Sequence, residues 1–129
     1  MTGNIRKMQN NSQKLGGEGE MIARDYLIRE GYEIIETNWR YRKYEIDIIS
    51  KKGQTMVFVE VKTRKNNTFG EPEVFVTKKK QNFLIAAANE YLIQKQIDLE
   101  SRFDVIAIVS QNNNQVVNHL QDAFYPVAK

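Results

Sequence analysis

Two short segments hold the residues best suited to chemistry, Glu45-Ile46-Asp47-Ile48-Ile49 and Val57-Phe58-Val59-Glu60-Val61-Lys62. In each, ionisable and aliphatic residues alternate with the period of a strand. Glu45 and Asp47 therefore share one face of their strand, and Glu60 and Lys62 share a face of theirs. A hairpin about Lys51-Lys52-Gly53-Gln54 would let those polar faces meet. An acid beside a second acid and a lysine is the minimum equipment for metal-assisted phosphodiester cleavage. Mg²⁺ commonly takes one or two carboxylates plus water and phosphate oxygens, and such an ion polarises a phosphate and acidifies an attacking water. Lys62 would hold that water or neutralise charge developing on the phosphate. The plainer account is a solvated sheet face with cross-strand ion pairs, each worth roughly 0.2–1 kcal/mol.

Two helical residues fit their surroundings poorly. Glu20 precedes Ala23 and Leu27 at helical spacing and so borders an apolar stripe. A carboxylate there is costly unless it is paired, bound to metal or able to reach solvent. Gly16, one turn earlier, would let other groups approach closely. Lys80 precedes Leu84, Ala87 and Tyr91 on their own stripe, in a first turn where a cation opposes the helix dipole. It would face a carboxylate site or an incoming phosphate, or else snorkel from the helix end.

Aromatic and basic residues interleave in Trp39-Arg40-Tyr41-Arg42-Lys43, just before the Asp47 strand. Arg40, Arg42 and Lys43 suit a phosphate backbone, and the rings suit an unpaired base. Arg64 and Lys65, directly after Lys62, are better placed still to hold a phosphate. Other features carry less. Gly16-Gly17-Glu18-Gly19 lacks the Lys-Ser/Thr ending of a phosphate loop. His119 has no evident partner for nucleophilic catalysis, and Asp104 beside Arg102 reads as an ion pair.

The elements that must position these groups can be read from periodicity. Met1 to about Ser12 is a polar arm, and residues 13–129 form one domain. A helix is expected over Gly17–Glu30 with Gly31 as its stop. Strands follow at Tyr32–Asn38, Tyr44–Ser50 and Thr55–Thr63, then a polar loop Lys65–Pro72. A second helix runs from Lys78 to Gln96, N-capped by Thr77, with the stripe Phe83, Leu84, Ala87, Ala88, Tyr91 and Leu92. Val105–Val109 reads as a strand buried on both faces. Asn112-Asn113-Asn114 turns the chain into a short strand, Gln115–Asn118. The fold class is α/β, an α-β-β-β-α-β-β core with one mixed sheet flanked by helices.

Bulk properties narrow the chemistry. At 129 residues the chain is one domain, able to bury roughly two-thirds of its unfolded surface. Nineteen Lys and Arg against sixteen Asp and Glu give a net charge of +3, which permits nucleic-acid binding without requiring it. With no cysteine and a single histidine, thiolate sites and imidazole zinc cages are excluded. Any metal needs oxygen ligands, and Mg²⁺ or Mn²⁺ fits best. The first residues lack the apolar core of a signal peptide and no stretch reaches membrane-spanning length, so the expected location is the cytoplasm, away from the membrane.

Together the motifs Gly16…Glu20-x-x-Ala23, Gly31-Tyr32, Asn38-Trp39-Arg40, Glu45-Ile46-Asp47, Phe58-Val59-Glu60-Val61-Lys62-Thr63-Arg64, Phe69-Gly70, Val76-Thr77…Lys80, Arg102-Phe103-Asp104-Val105 and Asp122-Ala123-Phe124 occur in order. The chain thereby resembles the bacterial YraN-like family over Gly16–Phe124. That family is similar to restriction-endonuclease-like nucleases of the PD-(D/E)xK class, archaeal Holliday-junction resolvases in particular. The resemblance implies metal ligation by Asp47, Glu60 and the Val61 carbonyl, with Lys62 as catalytic lysine and Glu20 as the helix acid of the resolvase-like branch. Lys80 matches a basic position on the second helix. Ile46 stands where many of these nucleases have proline.

The leading expectation is a divalent-metal-dependent endonuclease acting on DNA in preference to RNA, on branched or flap structures. A two-fold homodimer would suit a four-way junction. The alternative is a catalytically silent nucleic-acid-binding accessory protein with the same fold. A protein-binding scaffold ranks last, because no large exposed apolar stripe supports it.

Overall fold

A computed structural model describes residues 11–64 and 76–126. Most of the expected arm, Lys65, the motif Phe69-Gly70 and the rest of the expected loop lie outside the described residues. The elements are α1 (Asn11–Arg29), β1 (Glu33–Tyr41), β2 (Tyr44–Lys52), β3 (Thr55–Arg64), α2 (Lys78–Gln94), β4 (Glu100–Gln111) and β5 (Asn114–Phe124). They form one five-stranded sheet in the order β1-β2-β3-β4-β5. Only β3 and β4 are parallel, because α2 carries the chain back between them; the other pairs are antiparallel. This is the expected mixed α/β arrangement.

Both helices end where the sequence stops them. Gly31 adopts φ +92°, Gly31 N–H donates to Ile28 O, and Tyr32 N–H donates back to Leu27 O at 2.9 Å. That is a Schellman ending, closed by burial of Tyr32 in the cluster that holds Leu27. Thr77 caps α2, its Oγ1 accepting from Lys80 N–H at 3.1 Å. Gln96 takes the left-handed residue at the other end of α2, with Ile97 N–H bonded to Leu92 O at 2.9 Å.

Each helix covers one face of the sheet. Under α1, Ala23 and Leu27 meet Ile48, Val57, Val59, Ile106 and Ile108. Under α2, Leu84, Ala87, Ala88 and Tyr91 meet Ile46, Ile49, Phe58, Phe103 and Val105. Every residue from Val105 to Val109 is buried, as expected of a strand covered on both sides. Phe83, expected in the α2 stripe, lies outside both core clusters; its ring stacks instead on Tyr44, centroids 4.6 Å apart. The last strand is longer than Gln115–Asn118, because the Asn112-Asn113 turn (φ 47° and 66°) opens a hairpin that pairs back as far as Phe103 with Phe124.

A buried polar knot ties this framework together on the α1 side. Asp104 is fully buried and accepts from Arg102 Nε and Nη2 (2.9 and 2.8 Å), His119 Nε2 (2.7 Å) and Asp122 N–H (2.9 Å). Arg102 also donates to the Tyr32 hydroxyl at 2.6 Å, and His119 Nδ1 shares a hydrogen bond with the Tyr26 hydroxyl at 2.9 Å. Burial alone would raise the Asp104 pKa, but the bonds from His119, Arg102 and Asp122 outweigh it and hold the carboxyl below its usual range. The expected Arg102–Asp104 ion pair is therefore present, and His119 is a member of the same network. A charge so enclosed is tolerated because all its oxygens are bonded.

Candidate active site

The acids gather where β2 and β3 separate. Ladder pairing between the strands ends at Ile48 with Val59, and beyond it Asp47 Oδ2 accepts the Val61 N–H at 2.8 Å. A side-chain carboxylate thus takes a donor that a backbone carbonyl would take in a continuing sheet. The alternation of β2 breaks at this residue: Ile46 belongs to the core under α2, whereas Ile48 belongs to the core under α1. Residues two apart in a regular strand would share a face. Opposite the break, Asn38 takes a left-handed φ of 53°. The resulting local rotation turns Asp47 from a sheet face toward the β3 backbone.

This corrects the expected meeting of two polar faces. Glu60 projects to the α2 side, among Ile46, Phe58 and Leu84. Lys62 keeps Glu60's side by alternation. Glu45 and Glu20 are held together instead by Asn38, whose Nδ2 donates to both Glu20 oxygens (2.9 and 3.1 Å) and to Glu45 Oε2 (3.2 Å). Arg40 Nη2 pairs with Glu45 Oε1 at 3.3 Å. Asp47 stands at the seam between the Glu20–Glu45 pair and Glu60.

The electrostatics record that convergence. Burial first, then the charge of Glu60, pushes the Asp47 carboxyl up to about 7; Glu20 adds to this, while the Val61 N–H and Lys80 oppose it. Glu20 is likewise raised, by burial and by Glu45 and Glu60, against its bond from Asn38. Glu60 is 6% exposed and is answered, among the described residues, by Lys80 Nζ at 2.9 Å from Oε2. Burial alone would lower the Lys80 pKa, but Glu60, Asp47 and Glu45 raise it overall, so the ammonium stays charged. Lys80 therefore faces a carboxylate, one of the three outcomes its place in the stripe allowed.

The donor set fits a hard divalent cation: two partly or wholly buried carboxylates whose mutual repulsion a cation would relieve, with only oxygen donors nearby. Among the described residues, no three acids or histidines stand close enough to form a metal cage unaided. Asp47 and Glu60 would thus contribute two ligands, and Glu20 lies within electrostatic reach. Arg40, Arg42 and Lys43 occupy the β1–β2 turn and its approach, with Arg42 5.2 Å over the Tyr41 ring. Arg64 ends β3 and is exposed.

Asn38 was marked in the sequence only by the Asn38-Trp39-Arg40 motif, and Glu45 only as the neighbour of Asp47 on its strand; neither was assigned a site role. Close approach of α1 to the sheet occurs at Gly19, where an added Cβ would stand 2.5 Å from Thr63 Oγ1. The surroundings of Gly16, where a close approach was expected, lie outside what the structure describes. Gly19 immediately precedes Glu20, so the contact that brings α1 down on β3 also sets the height of that acid.

Residues 19–108 match the profile of the uncharacterised protein family UPF0102. The chain belongs to that family. A UPF0102 protein of Flavobacterium psychrophilum is 46% identical over 111 residues, covering 86% of this chain and 93% of the relative. One from Chlorobium phaeobacteroides is 47% identical over 124 residues, 91% of this chain and 98% of the relative. One from Geobacter metallireducens is 42% identical over 118 residues, 91% and 97%. UPF0102 is the YraN-like family expected from the ordered motifs. Among solved structures, Pyrococcus furiosus SfsA in complex with Ca²⁺ overlaps 86% of this chain and 64% of its own, at 16% identity. The TM-score of that overlap is 0.35. No described helix of this UPF0102 chain is long and apolar enough to cross a membrane.

Proposed function

We propose that this protein is a divalent-metal-dependent endonuclease acting on DNA, with branched or flap structures as its preferred substrates. The observation that carries the reading is the Asp47–Glu60 pair, two acids brought together in a half-buried seam where Asp47 is pushed up to about 7. Proteins seldom assemble such repulsion without a use for it, and perturbed carboxylates cluster at functional sites.

Mg²⁺ or Mn²⁺ bound there supplies Lewis-acid polarisation of a phosphate and a more acidic attacking water. Asp47, whose other oxygen is engaged by the Val61 N–H, and Glu60, on the α2 side, would hold such an ion. The Val61 carbonyl is the third protein donor implied by the family's resemblance to nucleases. Lys62, on Glu60's side, orients the water or meets charge developing on the phosphate. Lys80 neutralises Glu60 and would be free to turn to a DNA phosphate with a cation in its place on Glu60. Arg40, Arg42, Lys43, Arg64 and Lys65 supply backbone contacts, which fix register without reading sequence. The Lys80–Glu60 ion pair and the lack of a three-acid cage among the described residues favour one other reading, a DNA-binding accessory protein without turnover.

The deciding experiment incubates labelled single-stranded, duplex, flap and four-way-junction DNA with wild type or Asp47→Ala, in Mg²⁺, Mn²⁺ or chelator. Cutting that needs metal and disappears in the variant supports the enzyme. Identical lanes for both proteins on every substrate refute it.

A further inference from the structure

We infer that Phe83, braced by Tyr44 and flanked by Lys79, is a stacking platform for an unpaired base, which makes DNA with a single-stranded segment next to the scissile phosphate the substrate class. The inference rests on the proposed nuclease reading and deepens it.

The Phe83 ring is not part of either core cluster. Along α2 the other large residues on the inward side pack into the cluster under the helix, whereas Phe83 joins neither core cluster and stays partly exposed. Its stacking partner is Tyr44, 4.6 Å between centroids and 20° between planes. The two rings form one aromatic wall, anchored through Tyr44, which packs against the core under α2.

The position of that wall matters. Tyr44 directly precedes Glu45, and Phe83 lies one helical turn beyond Lys80, whose ammonium holds Glu60. Residues three apart on a helix are surface neighbours, so the ring lies next to the lysine that holds Glu60 on the α2 side. Lys79 Nζ lies 5.9 Å from the Phe83 centroid, at the outer limit of a cation–π contact. Lys78 and Lys79 are both exposed in the first turn of α2, where cations oppose the helix dipole. Their presence there is accounted for by a polyanion. A base on the ring with the adjoining phosphate on Lys79 satisfies both groups, and base–aromatic stacking tolerates any sequence. A fully paired duplex offers the cations its phosphates but cannot offer a free base face to the ring.

The test uses the full chain with Ca²⁺, a labelled 12-nucleotide single strand and the blunt duplex of the same sequence. A second single strand carries 2-aminopurine, whose fluorescence falls on stacking. Phe83→Leu keeps apolar bulk without a π-face, and Phe83→Tyr restores the face; thermal unfolding verifies that both fold. Wild type and Phe83→Tyr are expected to quench 2-aminopurine. Phe83→Leu is expected to lose the quenching and about tenfold in single-strand affinity, with less than a twofold change for duplex. Lys79→Ala is expected to weaken both DNA forms alike and flatten the salt dependence. Equal losses on single strand and duplex in Phe83→Leu, or none on either, overturn the platform. If metal-dependent cutting still requires Asp47 in that case, only the platform falls. If neither DNA form binds at any salt concentration, the nuclease reading falls with it.

Discussion

Asp47→Asn should make the metal-free protein more stable, although it deletes the acid most central to the proposed chemistry. Asp47 rises from 3.8 to about 7 on folding, mainly through burial and then through Glu60. Between those values the folded state keeps a proton that the unfolded chain has lost, so stability falls as pH rises through this window. Roughly three pKa units at about 1.4 kcal/mol each put the full penalty near 4 kcal/mol above pH 7. Partial solvent contact brings the expected gain to about 2–4 kcal/mol. Asn presents the same oxygen to Val61 N–H, so that bond is kept. For a domain of this length, about 4 °C in Tm accompanies each kcal/mol. Thermal melts in chelator should therefore show the variant melting roughly 10 °C higher at pH 8.5, with the difference shrinking toward zero near pH 4. Mg²⁺ at about 100 times its Kd should return some 2.7 kcal/mol to wild type alone. A variant no more stable than wild type at pH 8.5, or a difference independent of pH, would refute the account of the acidic pair.

Three further outcomes test the surroundings of that pair. Lys80→Met removes the cation on Glu60 and should tighten Mn²⁺ binding several-fold in a calorimetric titration while weakening DNA binding; looser Mn²⁺ binding would contradict the role given to Lys80. Asp104→Asn strips the charge from a fully buried knot and should cost about 3–5 kcal/mol by chemical denaturation, since Arg102 loses its partner. In wild type the depressed Asp104 pKa gives stability that is present above the unfolded value near 3.8 and lost as pH falls through the lower folded value. Gly19→Val should cost about 1–3 kcal/mol through overpacking against Thr63, and should perturb metal-dependent behaviour by lifting Glu20.

Most of the fold was legible because the signals were local. Thr77 at the α2 start, Gly31 at the α1 end and the Asn112-Asn113 turn act through their own backbone, and Val105–Val109 needed only its composition. Lys80 was legible as an anomaly, since a cation in an apolar stripe requires an answering charge. The rotation at Asp47 was not legible. Strict alternation assigns Glu45 and Asp47 one face, and the break depends on Asn38 adopting a left-handed conformation across the strand pair. Phe83 has the spacing of a core residue, and only its stacking on Tyr44 separates it from Leu84. His119 meets Asp104 across the β4–β5 hairpin, whose register the sequence left open, and Tyr26 from 93 residues away, which no spacing rule could have joined to it.

The central claim is that Asp47 and Glu60 are held together for a divalent cation. Mn²⁺ titration followed by electron paramagnetic resonance tests it without interference from contaminating nucleases. Wild type should bind Mn²⁺ and release it to excess Mg²⁺, and both Asp47→Asn and Glu60→Gln should lose at least tenfold in affinity. Equal Mn²⁺ binding by all three proteins, or none by wild type near neutral pH, would contradict the account.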